Sequence, residues 1–292
     1  WGSVSISTGA TLDGNSQVLT LNDGGNASIF NLDGAIIGDL DVIITGTTNR
    51  EMDLQQGGSE NLNNLTINGN ATFTLDKQTT IDGNLTITTG TLDTNSSGNY
   101  PLTVAGELSC AGTFTGNASL VTVRNLLITA GTFTAPSDSG SGDLVITGEG
   151  NAGSGDGYAF RRTGGTFTHS SGTVTFTDNT TVSVRMYGVG SGQKLNNVIL
   201  NEASSGLILQ TNDEGFYLEG DLTLTAGDFD LNSNADLITV EGDVTIADGN
   251  TLGSITSQQT TDNSFGSLTI ADGGTYSATS GTTKTTAGGG AW

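Results

Sequence analysis

The chain's sole histidine, His169, stands in the stretch GGTFTHSSGT (164–173). Histidine beside serine and near a carboxylate is the raw material of nucleophilic hydrolysis, in which imidazole takes the hydroxyl proton and the acid orients the ring. Ser and Asp recur along the whole chain, so their presence near His169 selects no triad, and no catalytic set is assigned. The same neighbourhood gathers other unusual chemistry. GDGYAFRRTGGTFTH (155–169) holds Asp156, Tyr158, Arg161 and Arg162, and SVRMYG (183–188) adds Arg185 and Tyr187. Guanidinium forks match anionic groups, and tyrosine offers an apolar ring with a polar tip. Asp156, Tyr158, Arg161, Arg162, His169, Arg185 and Tyr187 are therefore the candidate residues for binding or subunit contact. The plain alternative is an irregular coil whose arginines offset the surrounding acid. Glycan cleavage needs carboxylate pairs for its acid and base steps, and no such pair stands out.

Three further patterns carry weaker chemistry. Asp-Gly corners at 12–15, 22–26, 81–84, 246–250 and 270–274 place carboxylates at turns. Stacked turns offer oxygens to Ca²⁺, which wants six to eight of them, yet neither the EF-hand spacing nor the G-G-x-G-x-D nonapeptide occurs. Asp and Asn also form turns without a metal; Ca²⁺ is the one cofactor considered, and no metal ligands are assigned. Thr-x-Thr recurs from Thr72, Thr86, Thr113, Thr132, Thr166 and Thr223, with starts 14, 27, 19, 34 and 57 apart. Ranks of threonine bind ice on some solenoid faces, but that needs strict register, and these spacings argue against it. Cys110, the only cysteine, sits in GELSCAG where an aliphatic is expected. It reads as a small buried hydrophobe.

The elements that must position these residues follow from composition. Of 292 residues, 45 are Gly and 2 are Pro, and only 6% are aromatic. Thr, Val, Ile and Phe favour pleated surfaces, while Gly and Asn weaken helices and supply turns. No stretch shows a 3.6-residue apolar stripe, and no run of 18 apolar residues occurs, so membrane insertion by a helix is excluded. Thirty acidic residues against eight basic ones give a net charge of −22. Such a surface repels phosphate backbones, which excludes nucleic acid as a partner. The chain opens on Trp1 rather than Met, as expected of a processed product or a segment of something longer.

The apolar residues alternate within a repeat. GNLTITTGTLDTN (83–95) returns as GDLTLTAGDFDLN (220–232). A shorter pattern, a small or amide residue, an aliphatic, a polar residue and an aliphatic with Gly nearby, starts near residues 38, 63, 83, 106, 124, 142, 196, 220, 242 and 266. Steps of 18–25 residues, broken by one gap of 54 with room for two or three unrecognised units, mark a solenoid. Each coil holds two or three short strands, with alternate aliphatics inward and Thr or Ser outward. Gly and Asn recur at the corners because turns there need φ > 0. The expected fold is all-β, a parallel β-solenoid of roughly 18–25-residue coils. Residues 1–61 read as the end of a preceding block. Residues 62–194 form one block with an irregular region about 149–194, and 195–292 form a second, incomplete copy.

The lines NLTINGNATFTLD, GDLTLTAGDFD and GGTFTHSSGTVTF resemble the repeats of long, secreted Gly/Thr/Asn-rich β-solenoid proteins. Those include bacterial autotransporter and haemagglutinin-like adhesins and phage fibre or appendage proteins. The resemblance implies a non-enzymatic structural and adhesive segment, extracellular, on a cell surface or a virion. Its expected partners are copies of itself, other fibre or surface proteins, and surface glycans. The alternative expectation is a glycan-binding or glycan-processing solenoid.

Overall fold

The computed structural model describes residues 1–22, 28–54, 62–138, 142–149, 157–177, 184–187, 192–201, 207–209, 216–230, 238–247, 249, 251–253, 262–277 and 281–286. For 184–187, 207–209, 230 and 252–253 the description covers backbone alone. The described residues form strands and turns without a helix, and the registered strand pairs are parallel. The fold is a parallel β-solenoid of stacked coils. Two compact units divide it: Trp1–Leu144 with Gly164–Thr166, and Val145–Thr163 with Phe167–Trp292.

In the first unit one row of strands climbs through Gln17–Leu21, Leu40–Ile44, Leu65–Leu75, Leu85–Asp93, Leu102–Cys110 and Val121–Ile128. Its register runs Gln17 to Leu40, Val42 to Leu65, Leu65 to Leu85, Leu85 to Leu108, and Leu108 to Leu126. Those steps are 23, 23, 20, 23 and 18 residues, so the coil lengths expected from the repeat are those observed. Two further faces complete a coil: Phe73 stacks on Leu92, Phe114 and Phe133, and Ile81 stacks on Val104 and Val123. In the second unit the register runs Val174, Val198, Leu222, Val244 and Leu268. Its first strand, Thr173–Phe176, lies inside the 54-residue gap. The repeat pattern misses it because Thr173 stands where most other coils carry Asn or Asp.

Alternation explains the core. Leu65–Leu75 shows its aliphatics buried and its Thr and Asn half-buried or exposed in turn. All ten phenylalanines are buried, and Phe114 stacks on Phe133 with centroids 4.7 Å apart. Cys110 takes an inward place between Ile87 and Ile128 with no exposure, as its neighbours require.

A ladder of amides and carboxylates ties each coil to the next at one corner. Asp41 Oδ1 accepts from Asn63 Nδ2 and Asn64 Nδ2, each at 2.8 Å. Asn64 Oδ1 accepts the Asn84 N–H at 2.7 Å, and Asn84 Oδ1 accepts the Glu107 N–H at 2.8 Å. Asn125 Nδ2 then donates to Glu107 Oε2 at 2.7 Å. The second unit repeats the device. Asn197 Oδ1 accepts the Asp221 N–H at 2.9 Å, Asp221 Oδ1 accepts the Asp243 N–H at 2.8 Å, and Ser267 Oγ donates to Asp243 Oδ1 at 2.7 Å. Asn84 and Asp221 serve the ladder through an acceptor oxygen, so Asn and Asp interchange at that place.

The glycines that precede Asn84, Glu107, Asp221, Asp243 and Ser267 have a different role from the one expected. Gly106 and Gly242 do not adopt positive φ; a Cβ on either would come 2.6 Å from the carbonyl oxygen of Gly83 or Gly220 in the coil below. Close approach of stacked backbones excludes the side chain. At another corner the expectation holds, since Gly90 and Gly131 have φ of 71° and 60°.

Gly106→Ala and Gly242→Ala should each lower stability by about 1–3 kcal/mol through overpacking. Asn84→Ala should cost about 0.5–1.5 kcal/mol and Asn84→Asp much less, because the acid keeps the acceptor. Urea unfolding midpoints check both.

Candidate functional site

The strand Tyr158–Arg162 turns Ala159 and Phe160 inward and leaves Tyr158, Arg161 and Arg162 half-buried. A bulge between Tyr158 and Phe160 breaks the simple alternation. Phe160 meets the edge of Phe167 at 5.3 Å, which anchors the strand from below. On the outer side the Arg161 guanidinium lies 5.0 Å from the centroid of the Tyr158 ring. A cation over an aromatic face is attracted by the ring's negative quadrupole. Pairing with the strand Val184–Tyr187 sets Arg185 beside Tyr158 and Tyr187 beside Arg161. The backbone thus alternates Tyr and Arg across two neighbouring strands. Asp156 lies outside the described residues.

His169 belongs to a different cluster. Its Nδ1 accepts the Ser171 N–H at 3.0 Å, so the ring proton sits on Nε2. That nitrogen is 3.2 Å from Glu219 Oε2, to which it donates. Both ring nitrogens are thus engaged, by the Ser171 N–H and by Glu219, and neither faces a serine hydroxyl among the described residues. Glu219 also faces Lys194, whose ammonium lies 3.4 Å from Glu219 Oε1 and 2.7 Å from Glu241 Oε1. The hydrogen bond to Glu241, then the two carboxylate charges against the cost of desolvation, raise the Lys194 pKa above its ordinary value.

Lys194, Glu219 and Glu241 were not among the residues expected from the sequence. A signal was present: Glu-Gly-Asp occurs at 219–221 and again at 241–243, one coil apart. Since the Asp stack on the corner ladder, the Glu two places earlier must align as well. A lysine then bridges two carboxylates that would otherwise repel.

Elsewhere in the first unit, Lys77 Nζ meets Asp53 Oδ2 at 2.7 Å. The Asp53 side chain is 9% exposed, and the hydrogen bond to it raises the Lys77 pKa. At the Asp-Gly corner of residues 12–15, Asp13 Oδ1 accepts the Asn15 N–H at 3.1 Å, a turn made by the side chain itself. Among the described residues no three His, Cys, Asp or Glu side chains come together as a metal site would require. No helix among them is long and apolar enough to cross a membrane. Burial pushes the Cys110 thiol up to about 12, where thiolate is scarce at neutral pH.

No family model, no curated protein and no solved structure matches the chain.

Two expectations follow. The Cys110 thiol should resist a disulfide reagent in the native protein and react stoichiometrically once denatured, read by thiol titration. For Lys194→Met, a raised folded-state pKa means the lost stabilisation is fully present below the ordinary lysine value of 10.5 and disappears as pH rises through the raised one. The gap in urea midpoint between wild type and variant should therefore be constant near neutrality and close above pH 10.5.

Proposed function

We infer that the chain is a non-enzymatic structural and adhesive segment of an extracellular fibre, virion appendage or cell-surface filament. The observation that carries this reading is the corner ladder, present in both units with Asn or Asp oxygens as acceptors and with glycine at the corresponding places 83 and 220, and 106 and 242. What recurs is what stacking demands. Outward chemistry does not recur: the Glu219, Glu241 and Lys194 cluster has Asp82 and Ala105 at the corresponding corner places of the first unit. Repetition of shape with drift of surface is the mark of a part whose duty is to be stiff and to hold other parts at a distance. Parallel rungs bonded through backbone and corner side chains resist bending, because each coil is held by its neighbours.

The reading extends to partners. The strands Val4–Ile6 and Gln17–Leu21 have registered partners on one side, at Phe30–Leu32 and Leu40–Ile44. Beside them Trp1 is 81% and Val18 58% exposed. Copies of this chain and other fibre or surface proteins are the first partner class of this reading. Surface glycans are the other partner class, and the alternating Tyr158, Arg161, Arg185 and Tyr187 favour a second reading, a glycan-binding solenoid.

Light scattering on the gently extracted native assembly tests the first reading. A closed trimer, a chain much heavier than 29.6 kDa, or an open polymer each fits a fibre, an adhesin or a filament respectively. A lone 29.6 kDa monomer without partners would sink it. Arg161→Ala with Arg162→Ala separates the two readings. Assembly impaired without change in glycan binding supports the fibre; glycan binding lost with assembly and circular dichroism intact supports the alternative.

A further inference from the structure

One face of the first unit aligns threonines that the sequence spaces unevenly. Thr72 pairs with Thr91, Thr91 with Thr113, and Thr113 with Thr132. Two residues further along each strand, Thr74 pairs with Asp93, Asp93 with Thr115, and Thr115 with Thr134. The result is an array four coils long and two side chains wide, with threonine at seven of its eight places. Uneven sequence spacing therefore does not imply lost register, contrary to expectation. The extra residues are absorbed outside the paired strands, in corners such as 95–100.

The array has the dimensions of a parallel sheet, about 4.8 Å between coils and about 6.7 Å between alternate residues of a strand. Beneath it lie Phe73, Leu92, Phe114 and Phe133, none of them exposed. A close-packed base of that kind keeps the outer side chains in place. All seven threonines are half-buried, and none of their hydroxyls forms a hydrogen bond among the described residues. Asp93, the exception, is engaged by the adjoining corner, where its Oδ1 accepts the Asn95 N–H and Asn117 Nδ2, each at 2.7 Å.

A ligand for this surface must repeat as the surface does. Identical short side chains on a grid make no pocket for a discrete molecule. The face has no exposed ring on which a sugar could stack, and its one carboxylate is already bonded. What repeats in two directions, carries no charge and exchanges hydrogen bonds with ranked hydroxyls, while the methyls order the water between them, is a lattice of water. We propose that the threonine face at Thr72–Thr134 binds ice. This activity is separate from the fibre reading and does not depend on it.

Partition of the chain into a slowly growing ice hemisphere, together with inhibition of ice recrystallisation, tests it. Wild type should enter the ice and hold crystals small. Thr91→Lys with Thr113→Lys, at the centre of the array, should lose both effects, while Thr103→Lys on another face keeps them. Thr91→Tyr with Thr113→Tyr blocks the array by bulk and retains a strand-forming residue, should lysine cost the fold. Exclusion of the wild type from ice would overturn the proposal. So would ice entry by correctly folded central variants, or retention on crystalline cellulose without entry into ice, which would mark a glycan face instead.

Discussion

Every feature of this molecule depends on backbones stacking in parallel at the spacing of a hydrogen bond, coil after coil. That spacing leaves no room for a Cβ at Gly106 or Gly242, and it brings each corner amide within reach of the next coil's side chain. A corner is where a solenoid is vulnerable, because the strand ladder stops there and backbone N–H groups point outward without partners. The Asn64, Asn84, Asn197 and Asp221 oxygens take those protons. At Gly83-Asn84 and Gly220-Asp221 the glycine and the residue after it therefore work as one unit: the first allows the approach, and the second satisfies the next coil.

The acid content follows from the same device. An Asp is as good an acceptor as an Asn at the ladder, so carboxylates enter corners at little structural cost and charge accumulates along the stack. Where they align with further acids, as Glu219 and Glu241 do, repulsion grows and a cation becomes worth its place. Lys194 bridges the two, and His169 donates to one of them. The histidine is thereby tied to the stack by a hydrogen bond, away from the Tyr and Arg residues that neighbour it in sequence.

Register and sequence spacing are separate quantities in this fold. Coils of 18 to 27 residues stack their strands in register because length varies in the corners, where an extra turn residue displaces no core side chain. A core place cannot drift in this way, since a slip by one residue would turn Phe114 outward and Thr113 inward. The Thr ranks stay aligned because the phenylalanines between them must.

The coil length, the inward and outward faces, the burial of Cys110 and the parallel stacking were all legible in the sequence. They rest on local chemistry: alternation of period two, β-branched propensity, and glycine at fixed intervals. Coil Thr173–Phe176 escaped because Thr173 stands at the corner place where most other coils carry Asn or Asp. Of the candidate residues, the adjacency of Tyr158 and Arg161 to Arg185 and Tyr187 followed their sequence neighbourhood, whereas His169 did not join them. Its partner Glu219 is 50 residues away, and only the stacking of coils decides which distant side chains share a corner. Sequence by itself determined the period and the buried face, because both are written in single strands. Tertiary structure alone decided the alignment of threonines, the reason for each glycine and the company of the histidine, because each depends on which residue the next coil places above it.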